Sequence, residues 1–345
     1  MRAVRLLGPE HVAVEQVADP ALGADTDALV RVTHTAICGA DLLPYHGHTP
    51  GFEFGTILGH EFVGVVHDAG DRAGSLSPGQ RVVNTSMTSD GTCTHCRAGR
   101  TTQCDSRALF GYSGVYPRLE GGQADLVRVP RADRCLYPVP DSVSDEDAVF
   151  IADILPTGFA ATRGAGLGAG DVAVVLGCGP VGLMATMCAT RVARRVIAVD
   201  GVAPRRALAE SLGAVSVAPD EAAEVVADVT GGLGADACIE ASGSPAALTA
   251  ALSLVRPQAT ICVVGAHFEP DFPLNNGLMF EKEITLRFAI GDPVRDRERL
   301  LAMVVDGVLR PAAIVTDTPS LDDAAEAYRA FDAREATKVI LLAGR

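Results

Sequence analysis

The stretch VAVVLGCGPVG, residues 172–182, decides the fold of the second half of the chain. Its apolar start predicts a buried strand, and the proline after the glycine turn predicts the first turn of a helix. In a Gly-x-Gly-x-x-Gly turn the first glycine permits the turn, the second lets the backbone reach a pyrophosphate, and the third lets helix and strand pack closely. Amide donors at the helix N-terminus then face the phosphates. We therefore predict dinucleotide contacts at Gly177, Gly179, Pro180, Val181 and Gly182.

Asp200 ends the next apolar strand, about 20 residues after the glycine turn. A carboxylate at that position accepts hydrogen bonds from an adenosine ribose and repels a 2′-phosphate, so NAD(H) is predicted over NADP(H). Arg205 and Arg206 leave an alternative open, because either could face a 2′-phosphate, although Arg205 could equally lie against the adenine of NAD. The other reading of the whole pattern is a glycine turn in an ordinary α/β domain.

The two halves of the chain differ in the secondary structure that their sequences predict. Before residue 150, short alternating or apolar segments between Gly, Pro and Asp breaks predict a mainly β half. From residue 171, strands alternate with helices, which predicts an α/β fold with a doubly wound parallel sheet. The residues after 291 form a tail, which is a candidate for part of the mainly β half. The predicted strands are 29–32, 62–66, 81–83, 125–129, 172–176, 196–200, 237–240, 260–265, 284–289 and 338–342, and the predicted helices are 180–192, 204–212, 245–254, 294–306 and 321–331.

Bulk properties narrow the class of protein. At 345 residues the chain exceeds what one hydrophobic core usually supports, which predicts about two domains. The net charge of −14 repels phosphate backbones and anionic lipids, so we predict no nucleic acid and no membrane partner. Residues 1–16 lack the apolar stretch of a signal peptide, which predicts a cytoplasmic protein with nine reduced cysteines. Thiols in that compartment serve metals more often than disulfides.

A cysteine-rich segment forms the first candidate metal site. Asp90, Cys93, Cys96 and Cys104 follow a D-x2-C-x2-C-x7-C spacing. Structural zinc takes four tetrahedral ligands, and a carboxylate can be the fourth beside three thiolates. His95 is a rival for that place, but its position between two cysteine ligands makes simultaneous coordination awkward. A cysteine-rich turn without metal stays the other interpretation.

The second candidate set is dispersed along the chain. It comprises Cys38, the pair His60 and Glu61, and Asp153. Spacing alone does not join these residues. Taken singly, Cys38 is more often a buried thiol and Asp153 a helix-capping residue.

The chain resembles the zinc-containing medium-chain alcohol dehydrogenase superfamily. The resemblance runs nearly end to end through Cys38-Gly39, Gly59-His60-Glu61, the cysteine-rich segment, Gly121-Gly122-Gln123-Ala124 and the glycine turn. The segments Phe110-Gly111-Tyr112-Ser113 and Asp153-Ile154-Leu155-Pro156-Thr157-Gly158 look most like the formaldehyde-dehydrogenase branch. That branch has an aspartate as the third catalytic ligand.

The resemblance implies an architecture and a metal site. It implies a GroES-like catalytic domain from residues 1–152 and 287–345, and a Rossmann NAD-binding domain from 153–286. Catalytic zinc would then lie on Cys38, His60 and Asp153, where it acts as a Lewis acid on an alcohol or carbonyl oxygen while hydride is exchanged with the nicotinamide. We also predict coenzyme contacts at Thr157, Arg205, Ser242 and Gly265.

Two neighbours of the predicted zinc ligands receive supporting roles. Glu61 would support the site or alternate as a ligand when substrate is absent. Asp41 would hold the free ring nitrogen of His60 and so fix its tautomer.

The chain departs from the family at its proton relay. Most family alcohol dehydrogenases carry Ser or Thr, and often His, where this chain has Ala40 and Leu43. Neither side chain carries a transferable proton, and losing such a relay costs on the order of 10²–10⁴-fold in rate. Tyr45 or His46 could substitute. The alternatives are therefore a reductase of conjugated C=C or iminium C=N bonds, or an NAD-binding sensor without turnover.

Substrate and assembly are the least defined predictions. Pocket shape would depend on aromatic residues, whose type does not identify a substrate. We predict a homodimer or homotetramer that pairs through an edge strand at 284–289. The aromatic residues are Phe52, Phe54, Tyr112, Tyr116 and Phe280.

Overall fold

The computed structural model describes residues 1–267 and 275–344 and divides the chain into two compact units. Unit 1 comprises Met1–Asp153 and the segment from Asp292 onward, and unit 2 comprises Ile154–Gly291. The boundaries predicted from the sequence, after residues 152 and 286, therefore differ slightly. Asp153 belongs to the β-rich unit, and residues 287–291 belong to unit 2.

The first part of unit 1 consists of short strands with one-turn helices between them. Single 3-10 turns follow Cys38 and precede Cys104 and Asp153. The elements are β1 (Arg2–Gly8), β2 (His11–Gln16), β3 (Ala28–Ala36), α1 (Leu42–Tyr45), β4 (Glu61–Ala69), β5 (Arg81–Asn84), α2 (Thr94–Arg97), β6 (Leu126–Val129), α3 (Ala132–Cys135), β7 (Leu136–Pro138) and α4 (Asp145–Ala148).

Unit 2 alternates helices and strands. Its elements are α5 (Ile154–Ala165), β8 (Val172–Leu176), α6 (Pro180–Ala189), β9 (Arg195–Val199), α7 (Ala203–Ser211), β10 (Val215–Val217), α8 (Ala222–Thr230), β11 (Ala235–Glu240), α9 (Pro245–Leu254), β12 (Val255–Val263), α10 (Asn276–Glu281) and β13 (Thr285–Phe288). The strands are parallel in the order β10-β9-β8-β11-β12-β13. Every residue of β8 is buried, because helices cover both faces of such a sheet, and this explains its unbroken apolar run.

The tail returns to unit 1. It contains α11 (Pro293–Val305), α12 (Ala324–Asp332) and β14 (Ile340–Leu342). Strand β14 pairs antiparallel with β3, at one end of an antiparallel sheet of order β14-β3-β4-β5-β7, and β6 also pairs with β3. Alternate residues of β3 and β4 pack into one core with the aromatic rings of Phe62, Phe110 and Tyr328. The mainly β unit and the doubly wound parallel sheet predicted from the sequence are confirmed.

The uncharged run 172–190 contains strand β8, the glycine turn and helix α6. Across residues 1–267 and 275–344, no helix is long and apolar enough to span a membrane.

Candidate active site and coenzyme site

The fold of unit 1 brings the three dispersed ligand candidates together. Cys38 follows β3, His60 precedes β4, and Asp153 follows the 3-10 turn that ends at Ala152. Their ligand atoms lie within 4.8 Å of one another. The Asp153 Oδ2 atom is 3.9 Å from Cys38 Sγ and 3.4 Å from His60 Nε2. Antiparallel pairing of β3 with β4 explains why residues 22 positions apart meet at one strand end.

Two polar side chains hold these residues in place. Asp41 Oδ1 is 3.2 Å from His60 Nδ1, and its Oδ2 accepts a hydrogen bond from the Cys38 amide at 3.0 Å. The sequence predicted this position for Asp41. It did not predict Ser86, whose hydroxyl donates to Asp153 Oδ1 at 3.2 Å and leaves Oδ2 facing Cys38 and His60.

A buried ion pair lies beside the cluster. Lys338 forms an ion pair with Glu61, and both side chains are fully buried. Lys338 Nζ also donates to the Ile37 carbonyl at 3.0 Å. Within the described residues, the Oε1 atom of Glu61 is buried without a hydrogen-bond partner. Lys338 is not among the site residues predicted from the sequence, although a single charge ahead of the apolar run of β14 was a usable signal.

The cluster fits zinc by donor chemistry and by spacing. Zinc bonds of about 2.0–2.3 Å put tetrahedral ligands roughly 3.3–3.8 Å apart, close to the distances between these atoms. Burial raises the pKa of the Cys38 thiol, as does the charge of Glu61. A divalent cation supplies the positive charge that a buried thiolate needs. One sulfur, one nitrogen and one carboxylate oxygen also form the three-ligand set of an open, catalytic site.

The cysteine-rich segment forms a second cluster in unit 1. Ligand atoms of Asp90, Cys93, Cys96 and Cys104 lie within 4.8 Å of one another, and this cluster of described residues does not include His95. Cys93 caps helix α2, and its sulfur accepts the Cys96 amide at 3.4 Å. Cys104 Sγ accepts the Asp90 amide at 3.3 Å.

Backbone amides favour the ionised form of two members of the second cluster. Asp90 Oδ1 accepts the amides of Cys93 at 2.9 Å and Thr92 at 2.7 Å, and these bonds lower the pKa of Asp90. The Cys96 amide lowers the pKa of Cys93, whereas burial raises the pKa of Cys96 to about 12. Four ligands in a closed loop fit a structural zinc site, with Asp90 as the carboxylate ligand.

The glycine turn of unit 2 has the geometry expected of a phosphate-binding turn. A Cβ on Gly182 would lie 1.8 Å from the Gly177 carbonyl oxygen, so only glycine lets helix α6 start so close to β8. A Cβ on Gly179 would meet nothing within 4 Å, which leaves open space at the helix N-terminus for a phosphate. Pro180 and Val181 form the first turn of α6.

Asp200 lies against the same turn. Its Oδ2 accepts the Cys178 amide and its Oδ1 accepts the Val202 amide, both at 2.7 Å. Arg206 donates to the Asp200 carbonyl at 2.9 Å. Burial and the charge of Asp200 raise the pKa of Cys178 to about 12, against the opposing charges of Arg205 and Arg206.

The other predicted coenzyme contacts also belong to unit 2. Strand order changes direction between β8 and β11, and Ser242 follows β11 directly beside Gly177. Glu240 Oε1 accepts the Ser242 amide at 2.8 Å, and Gly265 packs against Gly243. Ligands of doubly wound sheets bind where the strand order reverses. Thr157 lies in the first turn of α5, against Gly291.

The residues considered for proton transfer lie in different surroundings. Ala40 belongs to the 3-10 turn after Cys38, and Leu43 to α1. His46 contacts Asp332 at 2.8 Å and Glu10 at 3.3 Å. Those carboxylates raise the pKa of His46 against the effect of burial. His46 therefore belongs to a surface ion-pair network.

The predicted pocket aromatics divide between the units. Phe280 lies in unit 2 and is strongly exposed. The other four form a chain of ring contacts in unit 1, with centroid distances of 6.0, 5.9 and 6.3 Å between successive rings. In order, the rings are Phe54, Phe52, Tyr112 and Tyr116.

Comparisons with known proteins agree with this arrangement. Residues 24–141 match the family "Alcohol dehydrogenase GroES-like domain", and residues 180–306 match "Zinc-binding dehydrogenase". Zinc-type alcohol dehydrogenase B of Aspergillus flavus is 35% identical and covers 100% of this chain and 82% of its own length. The structure of alcohol dehydrogenase TADH from Thermus sp. ATN1 covers 100% of both chains with 36% identity and a TM-score of 0.95.

The chain belongs to the zinc-containing medium-chain alcohol dehydrogenase/reductase superfamily. It is a zinc-type oxidoreductase of the alcohol dehydrogenase kind, which acts on small molecules, and the predicted GroES-like and Rossmann fold class is confirmed. The coenzyme varies among similar structures. A protein of Sinorhizobium meliloti 1021, described as a zinc-binding dehydrogenase, is bound to NADP (27% identity, TM-score 0.88, coverage 99% and 98%).

Proposed function

We propose that the protein interconverts a small-molecule alcohol and its aldehyde or ketone, with NAD(H) as coenzyme and zinc held by Cys38, His60 and Asp153. The observation that carries the proposal is the convergence of these three ligand atoms within 4.8 Å. When bound there, zinc supplies Lewis-acid polarisation of the substrate oxygen. Asp41 orients the His60 ring, and Ser86 orients the Asp153 carboxylate.

We propose that the Glu61 carboxylate responds to a change in charge at the metal site. Its Oε1 atom lacks a hydrogen-bond partner among the described residues, while Lys338 neutralises the other oxygen. Burial raises the pKa of Glu61 against the opposing charge of Lys338. A cation beside Oε1 therefore stabilises the carboxylate, which supports Glu61 as an alternating ligand.

The preference for NAD(H) is inferred from Asp200. Its carboxylate lies beside the glycine turn, where it suits a ribose hydroxyl and repels a 2′-phosphate. Because Arg206 donates to the Asp200 carbonyl, that side chain is already engaged at the turn. Replacing Asp200 with Ala should shift the ratio of kcat/KM toward NADPH, whereas Asp220→Ala, in an exposed loop of the same unit, should leave the ratio unchanged.

The cysteine-rich cluster is proposed to hold a second, structural zinc on Asp90, Cys93, Cys96 and Cys104. Association is proposed through β13, which is the edge strand of its sheet and exposes Phe288 and the following Ile290. Placement in the formaldehyde-dehydrogenase branch and a cytoplasmic location stay predictions. The relatives do not favour the alternatives of a C=C or C=N reductase or of a sensor.

The test is elemental analysis of the purified protein, with turnover measured against NADH and NADPH. We expect about two zinc ions per chain. The enzyme should turn over alcohols or aldehydes with a clear advantage for NAD(H) over NADP(H). Removal of the catalytic zinc should abolish this turnover. The substrate panel includes formaldehyde, simple alcohols, enals and cyclic imines. Reduction of only enals or imines, or tight NADH binding without turnover, contradicts the proposal.

A further inference from the structure

We propose that the Tyr112 hydroxyl, held by Thr49, hydrogen-bonds the reacting oxygen of the substrate and connects it to solvent, in place of the hydroxyl that Ala40 lacks. The inference rests on the proposed function, because it assigns the group that handles the substrate oxygen at the same site. It concerns unit 1 alone.

Packing fixes Tyr112 beside the metal-ligand segment. Gly111 presses against the residue before His60: a Cβ on Gly111 would lie 2.5 Å from the Gly59 amide nitrogen. The backbone of Tyr112 forms an isolated antiparallel bridge with Leu119, and its ring packs edge-on against Phe52. The backbone immediately before Tyr112 therefore lies against the residue that precedes His60.

The hydroxyl itself is buried and already paired. Tyr112 and Thr49 are exposed by only 6% and 8%, and their hydroxyl oxygens are 3.1 Å apart. Either oxygen can be the donor, so a proton can pass in both directions along the pair. Ser113 accepts the Glu53 amide at 2.8 Å and thereby ties the Tyr112 segment to the loop that carries Thr49.

Electrostatics connect the hydroxyl to the cluster. Burial raises the pKa of the Tyr112 phenol, while the hydrogen bond with Thr49 lowers it. The charge of Asp41 raises this pKa further, and the charge of His60 lowers it. The phenol is therefore neutral at ordinary pH, which suits a relay that passes a proton on and not a base that keeps it.

The proton transfer leaves both hydroxyls, those of Tyr112 and Thr49, in the protonation state in which they began. In alcohol oxidation the carbon loses a hydride to the coenzyme and the oxygen loses a proton. That proton passes to Tyr112 as the phenol proton passes to Thr49, and the Thr49 proton passes to water. The residue before Thr49, His48, is exposed, so this end of the pair lies close to the protein surface. Reduction uses the same steps in reverse.

Tyr112→Phe tests the proposal, with Tyr137→Phe as a matched control that removes a phenolic hydroxyl from β7. We expect Tyr112→Phe to lower kcat by about 10²-fold at equal zinc content. Thr49→Val keeps the Tyr112 hydroxyl but cuts the path to solvent, so it should lower kcat as well. Adding Ala40→Ser to Tyr112→Phe should recover part of the loss.

A binding measurement separates the hydrogen bond from turnover. A small unreactive amide, titrated into the enzyme–NADH complex and followed by NADH fluorescence, should bind about tenfold more weakly to Tyr112→Phe than to the wild type. Unchanged kcat and unchanged amide affinity in a folded Tyr112→Phe variant overturn the inference. A wild type that binds the amide but oxidises no alcohol contradicts the proposed function alone, and the amide comparison still decides the role of Tyr112.

Discussion

The two metal-ligand clusters of unit 1 contrast in how they are built. The cysteine-rich cluster spans residues 90–104, and short turns with amide-to-sulfur bonds form most of its scaffold. The other cluster joins residues 38, 60 and 153, which meet only because the sheet and the turn before Asp153 have formed. We infer that the first cluster depends on local chain geometry and serves stability, whereas the second depends on the whole unit and serves chemistry.

The largest effect is expected when one ligand is removed from each cluster in turn. His60→Ala should lower kcat by about 10³-fold or more, because polarisation of the substrate oxygen is worth several kcal/mol. Cys93→Ser should leave kcat at low temperature within about twofold, because Lewis-acid chemistry does not use the second cluster. Steady-state kinetics with zinc analysis of both variants checks the pair. Equal losses of kcat in two folded variants contradict the division of roles.

The next largest effect is expected at the ion pair beside the dispersed cluster. Lys338→Met leaves the Glu61 carboxylate buried without its counter-charge, which should reduce the free energy of unfolding by roughly 3–5 kcal/mol. Adding Glu61→Gln removes the unpaired charge, so the double variant should regain much of the stability. Denaturant unfolding of the variants measures the coupling. Strictly additive losses would mean that the two charges do not depend on each other.

The contrast between the clusters also explains what the sequence could predict. A D-x2-C-x2-C-x7-C spacing is readable because its ligands are neighbours along the chain. The dispersed ligands needed a family resemblance, since no periodicity relates residues 38, 60 and 153. Ser86 escaped prediction because a lone serine has no local pattern. Lys338 stands out as a charge before an apolar strand, but that signal does not identify Glu61 as its partner, and only the closed sheet brings these side chains to Asp153 and Glu61.

The prediction of secondary structure failed where burial overrides the local sequence pattern. Helix α5 was not predicted, since its sequence holds Pro156, Gly158 and Gly164, yet it forms because most of its residues are buried. Strand β12 begins at Val255, five residues before the predicted start. Pro257 and Gln258, which has φ of 60°, interrupt the apolar pattern there. Helix α9, bounded by Ser244 and an apolar run, was predicted at its observed limits.

A smaller effect is expected when the carboxylate of the cysteine-rich cluster is changed. Asp90→Ala removes the fourth ligand and should release the structural zinc, with a fall of roughly 5–10 °C in the unfolding midpoint. Asp90→Cys is the matched variant, because it keeps a four-ligand set and should retain both zinc and midpoint. Calorimetry and elemental analysis decide between them. Retention of zinc by Asp90→Ala would show that Asp90 caps the loop through the Thr92 and Cys93 amides without binding metal.

The smallest effect is expected from a comparison of two buried serines near the same strand end. Ser86→Ala removes the hydroxyl that orients Asp153, and such supporting groups typically change metal affinity by about 10–100-fold. Ser89→Ala is the control, since the Ser89 hydroxyl is equally buried but has no hydrogen-bond partner among residues 1–267 and 275–344. Competition with a chelator of known affinity measures zinc release from each variant. Because Asp153 contributes one of three protein ligands, its zinc should dissociate more readily from Ser86→Ala than from Ser89→Ala, while the zinc of the cysteine-rich cluster is released equally from both. Equal release of both zinc ions from both variants would mean that the backbone after the 3-10 turn holds Asp153 without help from Ser86.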